Sequence, residues 1–308
     1  MHELNVSVLL AAYNGRAWLQ EQIDSIFSQQ HVDITLFVSV DNSPDGTEEW
    51  INQLTERENR IQALPHGQRF GSAASNFFRL LRDVDFTHFD YIALSDQDDI
   101  WHHDKLSRAI EMLKNTNSDG YSGNVTAFWP DGRQELIDKA QPQAEWDYLF
   151  ESAGPGCTFV MTQKLAMEVQ NFILTNQESM RSVWIHDWFI YAFARSQGYN
   201  WYIDNYPSML YRQHENNQIG TNMGCKAFLH RMRFVLSGKA LQQLSLIAQL
   251  CGLESHPFVK RWQNHSRLGL LYLAFQANKC RRKGSEKIIF SFSCIALAIF
   301  GKGTKKRV

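Results

Sequence analysis

Cysteine is scarce: Cys157, Cys225, Cys251, Cys280 and Cys294 are scattered over 308 residues, and none forms a Cys-x-x-Cys pair. An odd, dispersed set argues against a disulfide framework, so reduced thiols of a cytosolic chain are expected. No secretion signal is expected. Met1-His2-Glu3-Leu4-Asn5 carries no basic n-region, and the apolar run Val6 to Ala12 is too short for an h-region. Internal repeats and low-complexity segments are absent as well. Acidic residues nearly vanish from the C-terminal part. Residues 226–308 hold 16 Lys and Arg against only Glu254 and Glu286. Residues 1–225 hold 15 basic and 30 acidic residues, so the formal net charge of −1 hides −15 and +14. Such a division implies an acidic body and a basic tail that meets something anionic.

What is present is ordinary in bulk and rich in aromatics, with 20 Phe, 10 Tyr and 9 Trp. The length suits one large domain, or one domain with an appendage. The first 115 residues alternate strand and helix. Strands are expected at Leu4 to Ala11, Ile34 to Val40, Ile61 to Leu64 and Tyr91 to Leu94. Helices are expected at Trp18 to Gln29, from Thr47, at Ser72 to Leu81 and from about His103 to Asn115. Alternation of this kind implies a parallel sheet with right-handed crossovers and helices on both faces. The regularity then breaks. Tyr121 to Phe128 and Gln134 to Ile137 read as a hairpin around Pro130-Asp131-Gly132. A Gly-rich loop, Gly154-Pro155-Gly156, runs into a strand. Trp184 to Gln197 reads as a helix, Tyr206 to Arg212 as a strand, and the rest from Cys225 as helical.

The most informative stretch is Ser95-Asp96-Gln97-Asp98-Asp99-Ile100-Trp101, directly after an apolar strand. Three carboxylates at a strand end are costly unless something cationic neutralises them. Hard oxygen donors suit Mg²⁺ or Mn²⁺, ions that usually also hold substrate phosphates. The plainer alternative is an acidic loop in which Asp99 caps the following helix.

Four signatures in order resemble a family 2 glycosyltransferase of the GT-A fold: Val8-Leu9-Leu10-Ala11-Ala12-Tyr13-Asn14-Gly15, then Val38-Ser39-Val40-Asp41-Asn42-Ser43-Pro44-Asp45-Gly46-Thr47, then the Asp-x-Asp run, then His186-Asp187-Trp188 at a helix start. The Ser95–Trp101 run together with Tyr211-Arg212-Gln213-His214-Glu215-Asn216-Asn217 resembles bacterial rhamnosyltransferases of O-antigen and capsule assembly. One departure stands at Val40, where the family often has a first of two adjacent aspartates. The resemblance implies an α/β GT-A fold with a mixed sheet, a catalytic domain over 1–222 and a basic helical region over 223–308. It implies that Ala12 and Tyr13 line the nucleotide pocket and that Asp41 accepts the imide N–H of a uracil or thymine ring. Arg69 then reaches the diphosphate or ribose, and Asp96 faces the ribose. Asp98 ligates Mg²⁺ or Mn²⁺, with His214 completing the shell. Gly154, Gly156, His186 and Trp188 form the acceptor side. Asp187 is the catalytic base of an inverting transfer, a single displacement that needs a carboxylate opposite the leaving diphosphate.

The partners implied are a nucleotide-sugar, most naturally dTDP-L-rhamnose, and a polyprenyl-diphosphate-linked saccharide acceptor. A UDP-hexose donor is the alternative. Rival classes are a sugar-phosphate nucleotidyltransferase, which needs a Gly-rich basic loop where Ala12-Tyr13-Asn14-Gly15-Arg16 stands, and an inactive saccharide-binding scaffold. The tail carries an uncharged run of 13 residues, Ile288 to Phe300. That is shorter than the about 20 residues a spanning helix needs. Lys279, Arg281, Arg282, Lys283 and Lys287 precede it; Lys302, Lys305, Lys306 and Arg307 follow. Such a segment suits an anionic membrane surface, here the cytoplasmic face of the inner membrane; a buried helix with solvated basic ends is the alternative. The basic stretch carries no nucleic-acid recognition motif.

Overall fold

The computed structural model describes residues 4–214 and 239–301. The chain divides into two compact units, one of residues 1–140 and 153–217, the other of residues 141–152 and 218–308. The expected boundary at 222/223 lies outside the described residues. So do Glu215, Asn216, Asn217, Cys225 and the basic residues Lys302, Lys305, Lys306 and Arg307.

In chain order the first unit holds β1 (Leu4–Ala12), α1 (Leu19–Phe27), β2 (Val32–Val40), α2 (Thr47–Thr55), β3 (Ile61–Ala63), α3 (Ala73–Asp83), β4 (Tyr91–Ser95) and β5 (Ile100–Trp101). There follow α4 (Lys105–Asn115), β6 (Gly120–Phe128), β7 (Gln134–Ile137), β8 (Val160–Thr162), α5 (Gln163–Thr175), α6 (Gln177–Met180), α7 (His186–Ser196) and β9 (Trp201–Arg212). The strands form one sheet, ordered β3-β2-β1-β4-β8-β6-β9-β5, with β7 pairing on β6. The first four are parallel, as the alternating pattern requires. Beyond them β8 runs antiparallel to both β4 and β6, and the sheet becomes mixed. Val6, Val8, Leu9 and Leu10 of β1 are all fully buried. A strand covered on both faces reads as a continuous apolar run rather than an alternating one.

This register positions the site. Ala12 pairs with Val40, and Leu10 with Ser95. The C-terminal ends of β1, β2 and β4 therefore open along one edge, where α/β sheets hold ligands. Helix α3 locks that edge. Its N-terminus is capped by the Ser72 hydroxyl, which accepts from the Ser75 N–H at 3.2 Å. One turn on, Asn76 Nδ2 donates to the carbonyls of Ala12 (3.2 Å) and Ser39 (2.9 Å). Arg79, almost fully buried, donates to Ser39 Oγ at 3.0 Å and to the Pro65 carbonyl at 2.5 Å.

The second unit is helical where described. Its helices are Lys239–Leu250, Pro257–Lys260, Arg267–Phe275, Ala277–Cys280 and Gly284–Phe300. Residues 141–152 join it as an aromatic wedge. Trp146 stacks on Phe258 at 4.6 Å, and Phe150 meets Trp262 at 5.5 Å and Phe290 at 5.2 Å. No helix among the described residues is long and apolar enough to cross a membrane.

Of the arginines read from sequence as membrane-facing, Arg282 is internal instead and Arg281 is largely covered. Arg282 has no exposed side-chain surface; it pairs with Asp147 at 2.9 Å and donates to the Ser152 carbonyl at 2.7 Å. Arg281 donates to the Phe150 carbonyl at 2.8 Å and pairs with Glu286. Sequence spacing could not show most of this, because Asp147, Phe150, Glu151 and Ser152 lie about 130 residues earlier in the chain. Arg282→Ala would strand Asp147 as a buried charge. Breaking such a pair costs about 3–5 kcal/mol, so the variant is expected to lose that much stability in urea unfolding. A loss below about 1 kcal/mol would mean that water reaches the pair.

Candidate active site

The edge is built first from main chain. Gln97 clamps the turn after β1: its Oε1 accepts from the Tyr13 N–H at 2.7 Å and its Nε2 donates to the Tyr13 carbonyl at 2.8 Å. This works only beside a glycine, since a Cβ on Gly15 would fall 2.2 Å from Gln97 Oε1. The clamp presents the Tyr13 ring, 46% exposed, next to buried Ala12. The turn is also tied to the loop after β2. Asn14 and Gly15 N–H groups donate to Ser43 Oγ (3.0 Å) and Thr47 Oγ1 (3.1 Å), and the Arg16 N–H donates to Asp45 at 3.0 Å. Asp45 also accepts from the Thr47 N–H at 3.1 Å, at the start of α2.

Asp41 is 5% exposed. Its carboxylate accepts N–H bonds from Asn42 (2.9 Å), Phe70 (2.8 Å) and Gly71 (2.7 Å). It thereby fastens the 66–71 loop, with exposed Arg69, to the end of β2. A carboxylate offers about four lone-pair sites, so one remains for a further donor.

The acidic run follows β4. Asp98 Oδ2 lies 2.6 Å from His214 Nε2. The His214 ring stacks on Trp18 at 4.4 Å and 14°. Arg212 reinforces this corner by donating Nε to the Asp98 carbonyl at 2.8 Å and pairing with Glu21. Asp99 does not cap a helix. β5 pairs with β9, which turns Asp99 inward, and α4 begins only at Lys105. Asp99 is 1% exposed; its Oδ1 accepts the Arg212 N–H at 3.2 Å, and its Oδ2 is buried without a hydrogen bond. Donor atoms of Asp96, Asp99 and Cys157 lie within 4.8 Å of one another. Burial, then the charges of Asp98 and Asp187, push the Asp96 carboxyl up to about 7. Burial, then the charges of Asp98 and Asp96, hold Asp99 well above the carboxylate range. Burial likewise drives the Cys157 thiol up.

Sequence reasoning passed over Lys105, which lies fully buried beneath this cluster. Its Nζ sits 3.5 Å from the centroid of the Trp101 ring and makes no hydrogen bond. Burial pulls its pKa down to about 7, against the opposing pull of Cys157 and Asp99. The signal was available: Leu106, Ala109, Ile110 and Leu113 form the buried stripe of α4, and position 105 falls on it one turn before Ala109. The arrangement has a clear electrostatic sense. Burial and neighbouring carboxylates raise the Asp96 and Asp99 carboxyls, one buried oxygen lacks a partner, and one buried cation offsets part of the charge. The paired Asp98 carboxylate and His214 imidazole are donor types that suit a small divalent cation. The protonated Cys157 thiol does not, which disfavours the Asp96–Asp99–Cys157 triple as its holder.

Asp187 stands in the first turn of α7, where its Oδ1 accepts the Trp188 N–H at 2.5 Å. Burial pushes it up to about 7, against the N–H bonds of Trp188 and Gly156 and the charge of Lys139. The charge of Asp187 is felt at Asp96, so the two belong to one electrostatic cluster. Neighbouring His186 stacks on Phe77 at 4.1 Å and is held neutral by burial, its pKa down to about 3. A Cβ on Gly156 would lie 2.4 Å from His186 Nε2 and 3.2 Å from Asp187 Cβ, so this position requires glycine. Gly154 is different: a Cβ there would meet Gly123 O no closer than 3.5 Å. Trp188 is half-buried beside Asp187.

Residues 7–184, more than half of the chain, match the family described as Glycosyl transferase family 2. The chain belongs to glycosyl transferase family 2. As a family member it is a glycosyltransferase that draws on a nucleotide-sugar. It is 44% identical over 283 residues to the dTDP-rhamnosyl transferase RfbG of Shigella flexneri, covering 91% of this chain and 96% of that protein. Over 180 residues it is 24% identical to the UDP-Glc:alpha-D-GlcNAc-diphosphoundecaprenol beta-1,3-glucosyltransferase WfgD of Escherichia coli, covering 58% of this chain and 68% of that protein. The mannosyltransferase PcManGT of Pyrobaculum calidifontis, solved with GDP-Man and Mn²⁺, matches with a TM-score of 0.53 at 14% identity, covering 96% of this chain and 87% of that one. The likeness is one of fold, and the GT-A architecture expected from the sequence stands. Divalent metals are common in enzymes of this fold.

Proposed function

We propose that this chain is an inverting rhamnosyltransferase that moves L-rhamnose from dTDP-L-rhamnose onto a polyprenyl-diphosphate-linked saccharide at the cytoplasmic face of the membrane, during assembly of a cell-surface polysaccharide. One observation carries the donor: the near full-length likeness to a dTDP-rhamnosyl transferase. The lipid-linked acceptor rests on the more distant glucosyltransferase, whose name includes a GlcNAc-diphosphoundecaprenol.

The residues divide the work. Ala12 and Tyr13 bracket the base, with Tyr13 held by the Gln97 clamp. Asp41 offers its remaining lone pair to the imide N–H shared by thymine and uracil. Arg69, on the loop that Asp41 fastens, meets the diphosphate or ribose, and Asp96 faces the ribose. Asp98 and His214 would hold Mg²⁺ or Mn²⁺. A dication there offsets charge growing on the departing nucleoside diphosphate. Asp187 takes the proton of the acceptor hydroxyl. Gly156 leaves room for neutral His186 beside it, and both, with Gly154 and Trp188, line the acceptor side.

The test is a donor screen with the purified full chain. Release of dTDP from dTDP-rhamnose is expected to exceed release of UDP from UDP-glucose or UDP-GlcNAc by at least about tenfold, a discrimination within reach of pocket contacts. Preference for a UDP-hexose would overturn the donor, and turnover of a sugar phosphate with a nucleoside triphosphate would overturn the class.

A further inference from the structure

The helix Gly284–Phe300 is two-faced in an unusual sense. One side, with Ser293, Cys294, Leu297 and Ala298, is buried, and the helix packs on Arg267–Phe275. The other side is also apolar, yet it faces water. Ile288, Phe292 and Ile299 recur at helical spacing with 60%, 69% and 58% exposure, and Ile289 and Phe300 widen the stripe. On the packed neighbour, Leu268 and Phe275 are 80% and 85% exposed. The sequence carries no charged residue between Lys287 and Lys302. A contiguous exposed apolar stripe of this kind marks an interaction surface.

Charge identifies the occupant. Lys239, Lys260, Arg261, Arg267 and Lys283 are exposed on this unit. Its acids are largely consumed internally: Glu145 pairs with Lys279 at 2.9 Å, Asp147 with Arg282 at 2.9 Å, Glu151 with Arg281 at 3.7 Å, and Glu286 with Arg281. The sequence continues past the stripe with Lys302, Lys305, Lys306 and Arg307. Two copies meeting through this face would bring like charges together. An anionic bilayer would receive both features, the apolar side chains at the acyl boundary and the cations at the headgroups.

We propose that the exposed stripe Ile288–Ile289–Phe292–Ile299–Phe300, with Leu268 and Phe275, is a membrane-docking face that lies in the headgroup layer of an anionic bilayer. This rests on the proposed work at a membrane-borne acceptor and specifies the face that meets the membrane. It also moves the anchor from the arginines at 281 and 282 to apolar side chains.

The experiment is co-sedimentation of the full chain with phosphatidylglycerol-containing vesicles and with phosphatidylcholine vesicles. Anionic vesicles are expected to bind it, and Ile288→Glu with Phe292→Glu to lower partitioning by about tenfold or more. Ile288→Ser with Phe292→Ser is expected to give a smaller loss, with melting unchanged because both side chains are exposed. Transfer to a short water-soluble acceptor should be unaffected in both variants. The proposal falls if the wild-type chain ignores anionic vesicles or if both variants bind as it does. It also falls if light scattering finds a wild-type dimer that the variants dissolve, which would assign the stripe to a second copy. Donor turnover is read separately, so a wrong donor and a wrong face give different results.

Discussion

Asp98→Ala is expected to reduce sugar transfer by about 10³-fold, because a dication that neutralises a leaving diphosphate supplies several kcal/mol of transition-state stabilisation. The fold should survive. The Asp98 carboxylate bonds to His214 at the sheet edge, and the corner keeps its Arg212 bond to the Asp98 main chain. Removing one acid from the cluster also relieves Asp96, whose raised pKa owes part of its shift to Asp98. Calorimetry with dTDP, with and without Mn²⁺, separates the possibilities. The wild-type chain should bind dTDP more tightly with Mn²⁺, and Asp98→Ala should lose that increment while keeping the metal-free affinity. Asp98→Asn, which can still bond His214, should behave like the alanine variant. Cys157→Ser should keep the metal increment, since its thiol is protonated in its buried setting. If the increment survives in both Asp98 variants and vanishes in Cys157→Ser, the cation belongs to the Asp96–Asp99–Cys157 triple instead.

That contrast bears on how far the site could be read from residues alone. The strand-helix alternation was legible because its elements are local and strongly periodic. Val6 to Ala12, Ile34 to Val40 and Tyr91 to Leu94 are largely apolar and mostly buried. The acidic run announced itself because carboxylates after a buried strand need a cause. The partners of those carboxylates were harder to see. Asp98 meets His214 and Asp99 meets Arg212 across more than 110 residues, and only the pairing of β5 with β9 brings them together. Helix α5 went unread, although its Thr162 cap accepts from the Leu165 N–H at 3.4 Å. Lys105 is the instructive omission. A lysine ahead of an amphipathic helix is read by habit as solvated, yet here the period puts it on the buried stripe. The basic tail misled in the opposite direction. Its charge count pointed outward, while the acids that neutralise Arg281 and Arg282 sit mostly in the distant wedge 141–152.

Asp187→Asn is expected to lower kcat by about 10²–10⁴-fold, the usual contribution of a positioned general base, with dTDP affinity nearly unchanged. Asparagine keeps an oxygen for the Trp188 N–H and nearly the same size in the first turn of α7, while it loses the capacity to accept a proton. The pH dependence gives an independent check, with a definite sign. Burial raises the folded-state pKa of Asp187 from 3.8 to about 7. The base works only when ionised, so kcat/KM should fall about tenfold for each pH unit below about 7 and level off above it. A limb in kcat near pH 7 that disappears in Asp187→Asn is the one expected of this carboxylate. Stability runs the other way. A carboxyl that ionises less readily when folded than unfolded makes the fold less stable as pH rises from about 4 through about 7. Asp187→Asn should therefore be at least as stable as the wild-type chain at pH 8, while being far less active. The paired measurements are a pH–rate profile and urea unfolding at pH 5 and pH 8. A variant that retains more than about a tenth of the wild-type rate, or whose residual rate keeps the same limb near pH 7, would move the base role to another group.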